Sequence, residues 1–466
     1  MIRSVFRLSR AATTVARTAH SGFNSRKPAI VAPSAAAASR SLHEKIAGPN
    51  ANPVAIQMID YALSLPRVQK SEESYGEAML VLEQCLASQS SDVEDFVTQN
   101  SKGLVLLAMA NLSFDRGNFN EALEHLRRSH ELEKASLGVK VAALEGLVGL
   151  SLELGNDDAS TVLADKCLEL LEKDELASTS AGFEVAEARA KALKGFVEFV
   201  RGNFQAAELL FGGLQGNDHC AGSAALSYGE FLHATRNFSM AKELYQKVTE
   251  GEAGNKGFND INALAACNMA SDQVQIAATC ALGQLEAHIG KFGDAEETLT
   301  KALNKAELLY GASLQTVPLS PRHPRVGVVL TCLALMFRQK AIQEHSSSLL
   351  IQEGLYRKAI ELLKVPSVDS EGTREFFLSK IVLLHEAIQQ SPHVEPINKR
   401  DISYDNAAGY GEALCVQDNR KSEGEKMKSW AEAHWRNSHL SLAEALRITE
   451  SSNRVPVIDA RTGRAL

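Results

Sequence analysis

Residues 195–211 read GFVEFVRGNFQAAELLF, and residues 229–245 read GEFLHATRNFSMAKELY. Superposed, the two stretches share a glycine (Gly195, Gly229), an asparagine (Asn203, Asn237) and an aromatic directly after it (Phe204, Phe238). An alanine three residues on (Ala207, Ala241) and a second ring four beyond that (Phe211, Tyr245) complete the match. The offset is 34 residues. Each position has a mechanical reason. A small residue on a first helix lets a second helix come close, and a glycine ends the first helix where the left-handed conformation excludes a β-carbon. The aromatic covers the turn, and the alanine sits where the two helices cross. The pattern predicts a helix–turn–helix unit that repeats.

Working outward, the aromatic–alanine–apolar set occurs six times, adding Tyr75/Ala78/Leu82, Phe119/Ala122/Leu126, Phe292/Ala295/Leu299 and Tyr356/Ala359/Leu363. Glycine stands two residues before four of the aromatics (Gly117, Gly202, Gly290, Gly354), and a small residue stands nine before four of them (Ala110, Gly195, Gly229, Gly283). The widest gap has room for a degenerate unit at Leu147–Leu154, Gly155, Asn156 and Ala159–Leu171. With its 34-residue period the chain resembles the tetratricopeptide repeat superfamily, most clearly at Ala110–Leu132, Ala192–Leu214, Tyr228–Val248 and Leu282–Ala302. Ala306–Gly311, Pro321–Val326 and Leu330–Phe337 resemble the kinesin light chain type of repeat, with an insertion at Lys340–Gln352 that departs from it. Pro318, Pro321 and Pro324 also spell P-x-x-P, which the inter-helix link already explains. The resemblance implies an all-α fold, a right-handed α-solenoid of tetratricopeptide-like helix pairs over 54–390, capped by a helix at Thr373–Gln390. It is a resemblance to uncharacterised, organelle-targeted proteins and implies no reaction.

The flanks differ. Residues 1–45 hold eight Lys/Arg and one acid, Glu44. Arg3, Arg7, Arg10 and Arg17 share one helical face opposite Val5, Leu8, Ala12, Val15 and Ala19, with hydroxyl residues between. An Arg-rich, Ser-rich, acid-free amphipathic opening is the composition of a transit peptide. Residues 1–42, ending at Ser39-Arg40-Ser41-Leu42, are expected to direct import to the mitochondrial matrix, ahead of the chloroplast, whose transit peptides usually lack such an Arg-striped opening helix. Residues 391–422 (Pro392, Pro396, Gly409, Gly411) read as a linker, 423–450 as a helical region with Trp430 and Trp435, and 451–466 as a basic extended tail.

Of the formal charge of −8, the segment 1–45 carries +7, which leaves 41 basic and 56 acidic residues, a net of −15, on the body. Such a body disfavours phosphate neutralisation and anionic membrane surfaces. No apolar run reaches the ~18 residues of a membrane span. The seven cysteines form no C-x-x-C pair, and Cys85, Cys167, Cys280 and Cys332 fall among helical core positions. His219–Cys220 has no second pair to complete a metal site, and His125/His130 and His434/His439 are spaced five apart rather than four. No P-loop, nucleophile elbow, zinc-protease or EF-hand motif occurs. No cofactor, metal or enzymatic activity is expected.

A site is therefore sought in the groove lined by first helices. Helical phase points Asn111, Arg189, Phe196, Glu230, His233, Gln284 and His288 into it. The chaperone-type carboxylate clamp needs lysines where this chain has Leu107, Ala192, Leu226 and Cys280. The expected activity is that of a non-catalytic interaction scaffold or assembly factor. Its partner would be a basic or amphipathic protein segment, with the chain's own basic tail (Arg454, Arg461, Arg464) able to occupy the same surface. The alternative is an organelle RNA-binding helical repeat, which needs a basic groove.

Overall fold

The computed structural model describes residues 51–69, 71–89, 95–116, 118–173, 181–217, 220–250, 271–310, 324–344, 349–363, 399–435, 437, 440–446 and 454–466. The transit peptide of 1–42, the link 311–323, the cap helix expected at 373–390, and Gly117, His219, Cys267 and His439 lie outside the described residues.

Described residues form seventeen helices. They run α1 (Pro53–Gln69), α2 (Glu72–Ser88), α3 (Phe96–Asp115), α4 (Phe119–His130), α5 (Leu137–Glu153) and α6 (Asp157–Lys173). Next come α7 (Ala181–Val200), α8 (Phe204–Gly212), α9 (Gly222–Ala234), α10 (Phe238–Thr249), α11 (Ser271–His288) and α12 (Phe292–Tyr310). The last are α13 (Pro324–Glu344), α14 (Leu349–Leu362), α15 (Lys399–Cys415), α16 (Lys421–His434) and the short α17 (Leu442–Leu446). Consecutive helices from α1 to α16 pack as eight adjacent pairs, and each first helix also packs on the first helix of the next pair. The only strands among the described residues are two of two residues each, β1 (Ile458–Asp459) and β2 (Arg464–Ala465). The fold is all-α.

The repeated residues do what their spacing implies. Ala78, Ala122, Ala207, Ala241, Ala295 and Ala359 are all 0% exposed. At Gly229 a β-carbon would stand 2.7 Å from the Tyr245 ring, so the glycine is what lets α10 lie against α9. Phe204 covers its turn by meeting Phe199 edge-on at 5.6 Å, as Phe119 meets Phe114. After α7, Gly202 takes φ +77, its N–H bonds Phe199 O at 2.9 Å and the Asn203 N–H bonds Glu198 O at 2.8 Å. That is a Schellman end. After α9 the same two bonds form around Arg236, a non-glycine residue at φ +66.

Two readings need correction. The stretch 391–422 is not a linker throughout, because α15 fills 399–415 and pairs with α16. Its glycines serve close packing within helices rather than turns. A β-carbon on Gly409 would lie 2.4 Å from the Tyr356 ring, and one on Gly411 would lie 2.7 Å from Gly424 O. The helical region of 423–450 is likewise broken, since Trp435 is extended after α16 before α17 begins.

Arg325–Glu344 in α13 has the length and apolarity of a membrane span, but it is mostly buried between α11, α12, α14 and α15. The row of helices also curls back on itself. Arg325, at the start of α13, donates to Gln273 at 2.7 Å, and Gln273 donates to Asp115 at the end of α3 at 3.2 Å. The same guanidinium lies 4.9 Å over Phe114 and 3.9 Å from Glu153. Cys85, Cys167, Cys220, Cys280 and Cys332 are buried free thiols, and burial pushes Cys167 up to about 12, which suits packing rather than nucleophilic chemistry.

Candidate functional site

The site is assembled by the inner faces of α7, α9 and α11, and the chain's own carboxyl tail lies on it. Ser223, Ser227 and Glu230 recur at i, i+4 and i+7 on α9, which places them on one helical face. Arg461 reaches that face from a hairpin. Its Nη1 donates to Ser227 Oγ at 2.9 Å and Ser223 Oγ at 3.1 Å, and its Nη2 donates to Glu230. The guanidinium also lies 4.7 Å over the Phe196 ring of α7. The Arg461 side chain is 7% exposed and the Glu230 side chain 0%.

The hairpin is folded by Asp459. Its Oδ1 accepts from Arg461 Nε at 2.8 Å and from the Arg461 backbone N–H at 3.0 Å. Its Oδ2 accepts from Thr462 Oγ1 at 2.6 Å and the Thr462 N–H at 3.2 Å. Gly463, at φ +66, closes the turn by donating to Asp459 O at 2.8 Å. From α11, Gln284 grips the backbone of one tail residue at both ends: its Nε2 donates to Ile458 O at 2.9 Å, and its Oε1 accepts the Ile458 N–H at 2.8 Å. Further along, the Val455 N–H bonds Ala234 O at 3.0 Å, Arg454 lies 3.4 Å over Phe204, and Arg464 pairs with Asp157 at the start of α6. Pro456, Ile458 and Ala465 roof a cavity walled in part by His288, Cys332, Arg338 and Asp405.

Two carboxylates flank one guanidinium, and the environment separates them. Burial pushes Glu230 well above the usual carboxylate range, with the neighbouring Asp459 acting in the same direction and Arg461 opposing. Asp459 is also pushed up by burial, but Arg461 and the bonds from Arg461 and Thr462 hold it below its ordinary value. Glu230 Oε1 is buried without a hydrogen-bond partner. The cluster is thus one cation, one carboxylate and one carboxyl inclined to keep its proton.

Of the seven residues that phase pointed inward, Phe196, Glu230 and Gln284 meet the tail. His233 and His288 meet each other, Nε2 to Nδ1 at 2.7 Å, with His233 Nδ1 3.3 Å from Tyr245 Oη. Burial lowers both imidazoles, His288 to about 3 with Arg236 adding to the effect. Arg189 is not brought to the tail. It spans to the neighbouring first helix, with Nε donating to Glu145 Oε1 at 2.8 Å and Nη2 to the other oxygen. Asn111 is buried on α3. Ser223, Ser227 and Asp157 also hold the tail; the first two are legible afterwards as the continuation of the Glu230 face, whereas Asp157 carries no local signal.

No protein-family model matches the chain, and no curated protein matches it.

Proposed function

We propose that the protein is a non-catalytic interaction scaffold of the tetratricopeptide type, a right-handed solenoid that binds a protein segment on the inner face of its first helices. The observation that carries this reading is the tail itself: a short extended segment is held by Phe196, Glu230 and Gln284, through its backbone as well as its side chains. In the free chain the tail holds the place that a partner takes. The inner titratable groups favour binding over chemistry, because each is committed to a neighbour: Arg189 to Glu145, His233 to His288, and Glu230 to Arg461. The acid-free, Arg-striped residues 1–42 support work in the mitochondrial matrix.

The reading is tested with the tail as probe. Full-length chain carrying Arg461→Ala should take up a labelled peptide of residues 454–466, because its own tail no longer competes well at high effective concentration. Absence of uptake by a folded variant sinks the proposal. Tight, sequence-selective RNA binding by the purified body would replace it with an RNA-binding helical repeat. An intact Met1 on the abundant cellular form rules out a cleaved presequence.

A further inference from the structure

The basic or amphipathic partner expected from net charge is a weak specification, and the seated tail allows a sharper one. Resting on the reading of this face as a binding groove, we infer that α7, α9 and α11 form an arginine-turn socket. Its ligand is a tight turn of the form apolar–Asp–x–Arg–Thr–Gly presented by a partner protein, for which Ile458–Gly463 is the resident stand-in.

Three features specify that chemistry. The first is the fork. Nε, Nη1 and Nη2 of Arg461 each have a separate acceptor (Asp459, the Ser223/Ser227 hydroxyls and Glu230), while the face of the guanidinium lies on Phe196. A lysine ammonium is a single point with three donors and no planar face, so it cannot reach this set together. The second is the extended backbone. Gln284 bonds both the N–H and the C=O of Ile458, which a residue inside a helix has already committed to its own turn. An amphipathic helix therefore does not fit; a strand leading into a turn does. The third is the acid carried by the ligand. Asp459 is 0% exposed, folds the turn onto Arg461 and Thr462, and leaves the socket's Glu230 as the only scaffold carboxyl against the guanidinium among the described residues. The motif is accordingly near neutral, and selection rests on the Asp–Arg pair rather than on positive charge.

A partner entering the socket must displace the resident turn. Full-length protein with a protease site placed within residues 447–453 can be folded and then cut, so that residues 454–466 remain as a non-covalent ligand. Labelled peptide 454–466 is exchanged in, and unlabelled peptides compete for it. The parent peptide should compete best. Peptides with Arg461→Lys or Asp459→Asn should need at least about tenfold more, as expected for losing hydrogen bonds to buried charged groups. A basic amphipathic helical peptide should not compete. If the Arg461→Lys peptide competes within about threefold of the parent, the socket is only an acidic groove; the specificity claim fails and the scaffold reading stands. If label never enters and the cut tail never leaves, the tail is a fixed part of the fold, and both readings fall.

Discussion

Glu230 and Arg461 lie 231 residues apart in the chain and are joined by a buried hydrogen bond, the carboxyl on α9 and the guanidinium at the tip of the tail hairpin. Removing either side has unequal consequences. Arg461→Ala leaves Asp459 and Glu230 buried together without a cation and should cost about 3–5 kcal/mol. Glu230→Gln keeps an acceptor for Nη2 and leaves Asp459 to balance the charge, so it should cost much less. Urea unfolding of the full chain compares them. An Arg461→Ala midpoint equal to that of the parent would show that the tail lies outside the cooperative unit.

Acid should destabilise the protein from an unusually high pH. His233 and His288 have folded values below the ordinary 6.5, His288 at about 3, and His130 lies at about 4, in each case through burial first. Between those values and 6.5 the unfolded chain binds more protons than the folded one, so stability is whole above about pH 6.5 and is lost as the pH falls. The buried His233–His288 pair should account for most of the loss, on the order of a few kcal/mol, with the partly exposed His130 adding less, and His288→Gln should flatten it. Glu230 has the opposite sign: with its folded value raised, its contribution is present at low pH and fades as the pH rises. A stability profile flat from pH 7 to 5 would contradict the placement of the histidine pair.

Two glycine-to-alanine changes on first helices should move stability in opposite directions. In Gly229→Ala the new methyl would stand 2.7 Å from the Tyr245 ring, and overpacking there should cost ~1–3 kcal/mol. Gly149 in α5 has nothing within 4 Å of the position its β-carbon would take, and Gly149→Ala should gain up to ~1 kcal/mol from helix propensity. Thermal melts of the pair read the contrast directly. A Gly229→Ala chain that melts no lower than the parent would mean the α9–α10 crossing is misplaced.

Arg236 occupies the left-handed position that Gly202 occupies one period earlier. Arg236→Gly should stabilise by ~1 kcal/mol. It should also raise the titration of His288, because the Arg236 charge helps to hold that imidazole neutral. NMR titration of His288 and a thermal melt give the two readouts. A lower melting temperature would show that the contacts of the arginine outweigh the backbone cost.

Helix pairs bearing an aromatic and an alanine in frame were legible because the residues that make the crossing are local in sequence. The α15–α16 pair lacks that frame. Gly411 and Gly424 instead bring its helices into close contact, while Gly409 makes room for Tyr356 of α14, and Gly409 and Gly411 read as loop punctuation in isolation. Phase alone turned Phe196, Glu230 and Gln284 inward. It could not show that Arg189 is taken by Glu145 or that Asp157 receives Arg464 across 307 residues, because those pairings depend on how far the row curls. The curl is set by contacts such as Arg325 with Phe114 and Glu153, which no local pattern encodes.

The separation of 231 residues between Glu230 and Arg461 gives the site a schedule. At synthesis rates of roughly 5–20 residues per second, the helix bearing Glu230 exists for about 10–45 s before Arg461 is made. Once Gln284 has also been made, 177 residues before Arg461, a nascent chain presents Phe196, Glu230 and Gln284 without their resident turn. Competition for the socket is therefore most open while the protein is being born. A partner that arrives during translation meets a socket that no resident turn yet fills.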